Sequence, residues 1–484
     1  MARKAERWNC DVLVVGSGPG GATTSCLLAE AGRDVLVVEE GRHLSLDSAP
    51  SYSLDEMNQK YRNGGLTTTF GPTNVTYIEG RCVGGASEIN AALYHRPLPE
   101  TLEEWRRDYR ISNFSPESLE AHFEASEREL SVSRRPQGVG EASDRLRTGA
   151  DALGWNSTEI ERCWKYEKKD TSTWTDRRQS MSETLIPRML AAGGRLEAQT
   201  KVQRIVFEKG KARYVFATQT GPDGEEIDIR IEFETLFVCC GAVHTPLLLR
   251  RSGLKRNVGD SLQLHPMVRI AVRFDESVSD PSVGVPVHQV EEFKPHLTLG
   301  CSHTSLAHVA LWLAGDIDDK RALLERWDHM AVYYALCTST ARGKVRNLPV
   351  FNEPLVRYPL TSEDMKLLGE GLYRLGELAF ASGAREIFNP VEGGPTLKRP
   401  SDLEPFRSGV PHGKVNVTSI HLFSSCPMGE DQSRCVVDSY GRHHAVSNLY
   451  INDASMLPAC PGVNPQATIM AIVRRNTENF LRQL

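Results

Sequence analysis

Two short apolar runs, Val12–Val15 and Val35–Val38, bracket a glycine-rich turn and a helix-compatible stretch in CDVLVVGSGPGGATTSCLLAEAGRDVLVVEEG, Cys10 to Gly41. Continuous apolar runs of that length predict strands buried on both faces, so the segment reads as strand, turn, helix, strand: a βαβ unit. The run ETLFVCCG, ending at Gly241, predicts another buried strand. Its adjacent Cys239 and Cys240 point to opposite faces, which argues against a redox pair. Helical spacing is clear in two places. SPESLEAHFEASEREL opens with Ser115 as N-cap, Pro116 at the first helical position and Glu117 in the first turn, where a carboxylate suits the helix dipole. TSEDMKLLGEGLYRLGELAFASGA sets Met365, Leu368, Leu372 and Leu375 three or four residues apart, with Gly383 as its stop. Between Val268 and Val350 the stretches VRIAVRF, HLTLGCS and HVALWLA alternate irregularly and predict antiparallel strands of a sheet with one face over a pocket. Near the end, Asn464 and Pro465 precede Ile469, Ile472 and Val473, a helix with proline at its first position.

Composition narrows the function classes. A chain of 484 residues exceeds one simple core and suggests two or three domains. With 25% charged residues, a net charge of -5 and no long run of one sign, neither nucleic acid nor an anionic membrane is expected as partner, and a small molecule is. No apolar run approaches the roughly 18 to 20 residues that span a bilayer. The opening MARKAERWNC lacks the apolar stretch and cleavage site of a secretion leader, so a cytoplasmic location is expected. The 11 cysteines are scattered without a CxxC pair, which fits neither a disulfide framework nor a zinc site.

Gly16, Gly18 and Gly21 form GxGxxG after the first apolar run, and Glu39 closes the second run 18 residues after Gly21. The first glycine permits the turn, the second lets backbone approach a pyrophosphate, and the third lets helix pack on strand. Glu39 would accept hydrogen bonds from a ribose. FAD and NAD both present an adenosine diphosphate, so the unit alone leaves the choice open. No second GxGxxG follows a strand, which speaks against NAD(P)H as a partner.

Three later segments decide between them. They are GRCVGGASEINAALYHRP (Gly80 to Pro97), GAVHTPLLLRRSGL (Gly241 to Leu254) and NLYINDASMLPACPGVNPQATIMAIVRRNTENFL near the end. Together they resemble the glucose-methanol-choline (GMC) family of flavin oxidoreductases, with Ala86 in place of a usual Gly, Ser or Thr and Lys255 in place of a glycine. The resemblance implies an α/β fold: a discontinuous Rossmann-like FAD-binding domain (1–97, 185–266 and 420–484). Into it is inserted an α+β substrate domain (98–184 and 267–419) built on an antiparallel sheet.

It also implies a set of cofactor residues. The first turn would supply Gly16, Gly18, Pro19, Gly20 and Gly21, followed by Glu39, Glu40 and Gly41. The first signature would supply Arg81, Gly84, Gly85, Ser87, Asn90 and Ala91, and the backbone at Val202 would meet adenine. Cys240 and Gly241 belong to the second signature; Asp453 and Ala454 would lie near the ribityl and pyrophosphate. Pro465, Gln466 and Ala467 begin a helix whose amides would face the flavin's pyrimidine carbonyl. Where relatives attach flavin through a histidine before the signature asparagine, this chain has Ile89; His95 is nearby, and non-covalent FAD is expected.

HLFSSCPMG, His421 to Gly429, is open to several readings: metal ligand, partner of a nucleophilic Cys426, packed core residue or base. No further ligands follow at metal spacing, and nothing nearby lowers a thiol pKa. In the family a histidine precedes a GTC-MG-like turn here, with Ser424 and Ser425 replacing Gly-Thr in this chain. The resemblance implies His421 as catalytic base and Asn464 beside it, orienting the substrate oxygen. The reaction implied is oxidation of an alcohol to aldehyde or ketone, with dioxygen or another carrier reoxidising the flavin. His288, Gln289, Glu291, Glu292, His296 and His303 on the expected sheet lean the substrate towards a polyol, sugar or aminosugar primary alcohol, as for oxidases of aminoglycoside precursors in antibiotic biosynthesis. A long-chain or aryl alcohol, a cyanohydrin lyase on the same scaffold, and a flavin protein without turnover stand as alternatives.

Overall fold

The computed structural model describes residues 4–169, 174–280, 283–313, 317–348 and 353–483. Ala314 and Val350, which end two of the stretches read above, lie outside the described residues.

The apolar run at Val12–Val15 ends the strand Lys4–Val15, whose neighbours Val35–Val38 and Glu226–Val238 run parallel to it. A seven-stranded sheet grows from this centre. Arg195–Glu197 lies beyond Val35–Val38, and Leu449–Ile451 adds in parallel to the end of Glu226–Val238. Thr200–Glu208 and Lys211–Thr220 extend it as antiparallel strands. Segments far apart in sequence therefore share one Rossmann-like layer.

Residues Val12, Leu13, Val14, Val35, Leu36, Val37 and Val38 are all nearly inaccessible, each burial stabilising by about 1.5–3 kcal/mol against exposure. The crossover helix Pro19–Glu30 is buried nearly all round by small residues. A Cβ on Gly20 would meet the Asn452 carbonyl oxygen at 2.0 Å, and one on Gly21 the Gly16 oxygen at 1.9 Å. Glycine is required there by close packing.

A second, nine-stranded sheet is almost wholly antiparallel. Its centre is Met267–Arg273 beside Met330–Cys337, followed outward by Leu297–Cys301, His288–Val290 and Ser157–Glu159. On the other side lie Val417–Ser419, Val75–Tyr77 and Thr67–Thr68, with only the Val417–Ser419 and Val75–Tyr77 pair parallel. Strand alternation divides its central residues. Val268, Ile270, Tyr333 and Ala335 pack on Leu368, Leu372, Leu375 and Leu378 of the helix Ser362–Ala381. Met267, Arg269, Tyr334 and Leu336 occupy the opposite face.

The expected helices at 115 and 361 form. Ser115 and Ser118 make a capping box on Pro116–Glu129, Thr361 and Asp364 make another on Ser362–Ala381, and Gly383 takes φ +92° just past its end. VRIAVRF and HLTLGCS are strands, but HVALWLA is not. Its described part lies in the helix Leu306–Leu313, where Val309 and Leu313 fall on one face against Ala271, Met330, Val332 and Phe388. A short apolar run fits either period, and the four-residue spacing of these two buried residues decides it. Among the described residues no helix is long and apolar enough to cross a membrane.

Candidate active site

Gly18 is the N-cap of the helix Pro19–Glu30, with Pro19 in its first turn, and no side chain caps it or places an acid there. The helix amides are thus left for an outside acceptor. Unlike Gly20 and Gly21, Gly18 faces open space: a Cβ there would find only the Gly85 Cα within 4 Å, at 3.9 Å. Gly16, at φ +99°, lies against the Cys239 carbonyl. Glu39 is buried and accepts from Ser17 N–H (3.1 Å), Ser17 O–H (2.8 Å) and Gly41 N–H (2.9 Å).

The loop at Gly84 comes to this turn. Gly84 N–H donates to the Ser17 hydroxyl at 3.1 Å, and both Gly84 and Gly85 have positive φ. Ser87 donates to the Gly84 carbonyl and accepts from Met181 N–H. Asn90 donates to the Gln466 side-chain oxygen at 2.6 Å and so reaches the start of the last helix, Gln466–Arg482. Pro465 is that helix's N-cap, one residue earlier than expected, with no side-chain cap and no acid in the first turn; Ala467 is buried behind it.

Asp453 joins a further segment. Its carboxylate accepts from Gly241 N–H (2.8 Å), the Thr245 hydroxyl and Ser455 N–H (2.7 Å), and burial raises its pKa. Cys240 N–H donates to Thr245, and the Ala454 carbonyl accepts from Ser424 N–H. Other expected residues are engaged differently. Glu40 pairs with Arg62 and, at 3.8 Å, with Lys201, the neighbour of Val202. Val202 is buried beside a register shift in its strand; Ala91 packs in a small apolar cluster; exposed Arg81 touches the chain at Gly41.

His421 is buried, and its Nδ1 lies 3.0 Å from the Nδ1 of buried His265 across the short strand pair Gln263–Leu264 and Leu422–Phe423. Among the described residues its Nε2 has no hydrogen-bond partner and is not sealed from solvent. Burial, reinforced by the positive form of His95, pulls the His421 pKa from 6.5 to about 3, so the ring is neutral at physiological pH. Burial likewise pulls His265 well down. Cys426 is fully buried and its thiol is pushed up by that burial, which leaves no thiolate to act beside His421.

Asn464 lines a small pocket with His95, Gln289, Lys294, Thr298 and Tyr334 among its walls. Among the described residues no hydrogen bond joins Asn464 to His421. His95 Nε2 and Gln289 Oε1 are 2.9 Å apart, and Gln289 donates to the Tyr334 hydroxyl at 2.6 Å. Of the polar residues expected on this sheet, Gln289 alone lines that pocket. Glu291 pairs with Lys294 at 2.5 Å, Glu292 is exposed and accepts from Asn156 N–H, His296 is exposed, and His303 stacks on Tyr52. His288 is buried beside Ser143. His265, Tyr334 and Lys294 were not anticipated. His265 had one local sign, a His-Pro dipeptide just past the second signature.

Two helix starts without a capping side chain or first-turn acid, one of them at the open Gly18 backbone, suit a dinucleotide that carries pyrophosphate at one place and gathers negative charge at another. The family model for GMC oxidoreductase matches residues 57–267 and 340–472, and that for an NAD(P)-binding Rossmann-like domain matches residues 14–75. The uncharacterized GMC-type oxidoreductase y4nJ of Sinorhizobium fredii is 39% identical over 97% of this chain and 94% of its own. The chain belongs to the GMC oxidoreductase family. It is therefore an oxidoreductase of an FAD-dependent family.

More distant GMC relatives include the long-chain-alcohol oxidase FAO4A of Arabidopsis thaliana, 28% identical over 96% of this chain and 67% of its own. The 6'''-hydroxyparomomycin C oxidase of Streptomyces lividus is 25% identical over 98% and 92%. Among solved structures, pyridoxine 4-oxidase from Mesorbium loti superposes with a TM-score of 0.74, covering 98% of this chain and 99% of its own at 17% identity, a likeness of fold.

Proposed function

We propose that this GMC oxidoreductase converts a small polar alcohol to an aldehyde or ketone, using His421 as base and Asn464 to orient the hydroxyl. The observation that carries the reading is the neutral His421 imidazole, held at Nδ1 by His265 with Nε2 free of any described protein partner. FAD, when bound, supplies the hydride acceptor. In the tautomer with His421 Nδ1–H donating to His265, the His421 Nε2 lone pair is left to take the hydroxyl proton. The Asn464 amide offers hydrogen bonds but accepts no proton, which suits it to orientation.

The cofactor set proposed is the turn at residues 16–21, Glu39, the loop at 84–90, residues 240–241 and 453–454, and the helix start at 465–467, with Val202 and Arg81 at the adenine end. The segments 1–97, 185–266 and 420–484 would carry it, and 98–184 with 267–419 the substrate. Non-covalent binding is supported by Ile89 at the attachment position and by the Gln289 contact of His95. Gln289, Thr298 and Tyr334 at the pocket support a polyol or sugar-type alcohol over a long chain. The engagement of Glu291 by Lys294 removes the main support for an aminosugar. Dioxygen or another carrier would reoxidise the flavin. Eleven free cysteines, nine of them buried, suit a reducing cytoplasm.

Anaerobic mixing of the flavin-loaded protein with a panel of alcohols tests the reading. Flavin absorbance should bleach, and His421→Ala should keep its flavin and lose the bleaching. Failure across a broad panel overturns the oxidation and leaves the lyase or a flavin protein without turnover.

A further inference from the structure

Arg269 stands on the strand Met267–Arg273 directly opposite Tyr334, a wall residue of the pocket that holds Asn464. Strand alternation keeps both on the sheet face away from the apolar core, which takes Val268 and Ile270 instead. The guanidinium is positioned by hydroxyls. Its Nε donates to Ser302 Oγ at 3.1 Å and its Nη1 to Thr418 Oγ1, three residues before His421. Among the described residues Nη2 has no hydrogen-bond partner, and no carboxylate lies within ion-pair distance of any of its nitrogens.

Other buried arginines are satisfied in different ways: Arg475, also without a carboxylate, bonds the Ser112, Asn113 and Ser439 carbonyls and Asn476, and Arg162 lies over the Trp164 and Tyr166 rings. Arg474 and Arg178, both nearly inaccessible, have Glu129 and Glu56 as counter-charges. Lys294, the cation that lines the pocket, is neutralised by Glu291 at 2.5 Å, whereas Arg269 stands behind the Tyr334 wall. Arg269 retains accessible surface although it sits in the middle of a sheet whose neighbours are buried. Burial without a counter-charge pulls its pKa down to about 10. A half-buried guanidinium with a spare N–H and no acid is less well stabilised than one paired with a carboxylate. It becomes favourable when a ligand supplies the missing anion, because charge-assisted bonds to a planar fork are strong and directional.

We propose that Arg269 is a specificity residue that binds an anionic oxygen group, carboxylate or phosphate, on the alcohol being oxidised. This rests on the alcohol-oxidising reading and narrows its substrate to an alcohol that carries its own negative charge. The preformed Ser302 and Thr418 contacts fix the fork beside Tyr334, while the hydroxyl end of the substrate would lie towards Asn464. Both anion types share the required chemistry.

The test is equilibrium binding to the flavin-loaded protein, read from the visible flavin spectrum, with glycerol, glycerate and glycerol 3-phosphate as probes. At least one anion should bind about tenfold or more tighter than glycerol, and which one does distinguishes carboxylate from phosphate. In Arg269→Gln the ratio of anionic to neutral affinity should collapse towards unity, and Arg269→Lys should keep part of it. Equal binding of all three probes by the unaltered protein, or a ratio unchanged in Arg269→Gln, overturns the proposal without needing any variant to turn over. The two readings fail separately. Bleaching by glycerol with no anion preference removes the role of Arg269 alone, whereas anion binding through Arg269 with no bleaching by any alcohol removes the oxidation alone.

Discussion

His265 and His421 are coupled ring to ring: their Nδ1 atoms stand 3.0 Å apart and their planes cross at 82°. One ring must donate and the other accept, so the two hold opposite tautomers at that contact. His265 Nε2 is buried without a partner, so its Nδ1 has no competing network to serve. On the proposed reading of His421 as base, His265 is the residue that positions it.

Replacing His265 with Ala should therefore lower kcat by about 10- to 100-fold with flavin content unchanged, because the His421 ring loses the partner that selects its tautomer. His265→Asn, whose side-chain oxygen can accept the Nδ1 proton, should recover part of the loss. A change in KM alone, or no difference between the two variants, would make His265 a packing residue.

The depressed imidazoles set the pH dependence. Burial pulls His421 from 6.5 to about 3 and His95 from 6.5 to about 4. As pH falls through about 6.5 the unfolded chain takes up protons that the folded protein refuses, so stability present above that value is lost progressively towards about pH 4 and below. Tm measured by calorimetry should be flat above neutrality and decline on the acid side, with a shallower decline in His421→Gln. The acid limb of kcat/KM should lie below the usual histidine range.

Two glycines of one turn should separate folding from cofactor binding. Gly21→Ala drives a Cβ to 1.9 Å from a backbone oxygen and should destabilise the flavin-free protein by about 2–3 kcal/mol. Gly18→Ala has φ -64° and 3.9 Å to its nearest neighbour, so the flavin-free protein should keep its Tm. Flavin affinity should nevertheless fall at least about tenfold, since the methyl occupies the approach to the helix amides. Urea unfolding and flavin titration measure the two effects.

Asn90→Ala removes a 2.6 Å bond to Gln466 and a 3.0 Å bond from Ala92 N–H, costing about 1–2 kcal/mol. Because Gln466 opens the last helix, the variant should also release flavin faster, measured by fluorescence on dilution. Asn90→Asp keeps the Ala92 bond and should fall between.

Local patterns carried much of this molecule into view. The buried strands, the capped helices at 115 and 361 and the turn at Gly16 each depend on residues within a few positions of one another. The helix at Leu306–Leu313 departs from the expected strand because eight residues of mixed apolar character satisfy both periods until the sheet supplies a surface for Val309 and Leu313. His265 meets His421 from 156 positions away, and Arg269 finds its hydroxyls at separations of 33 and 149. Glu291, expected among the polar residues over the pocket, is instead held by Lys294 three residues on. Contacts made by strand pairing leave no periodic trace in the sequence that makes them.

The helix Pro19–Glu30 lies under the last helix, and buried Asn452 ties the two by donating to Thr24 and Thr477. During synthesis that helix would leave the ribosome about 440 residues before its cover. Its small-residue face stays wet until residues 466–482 have been made and have folded over it.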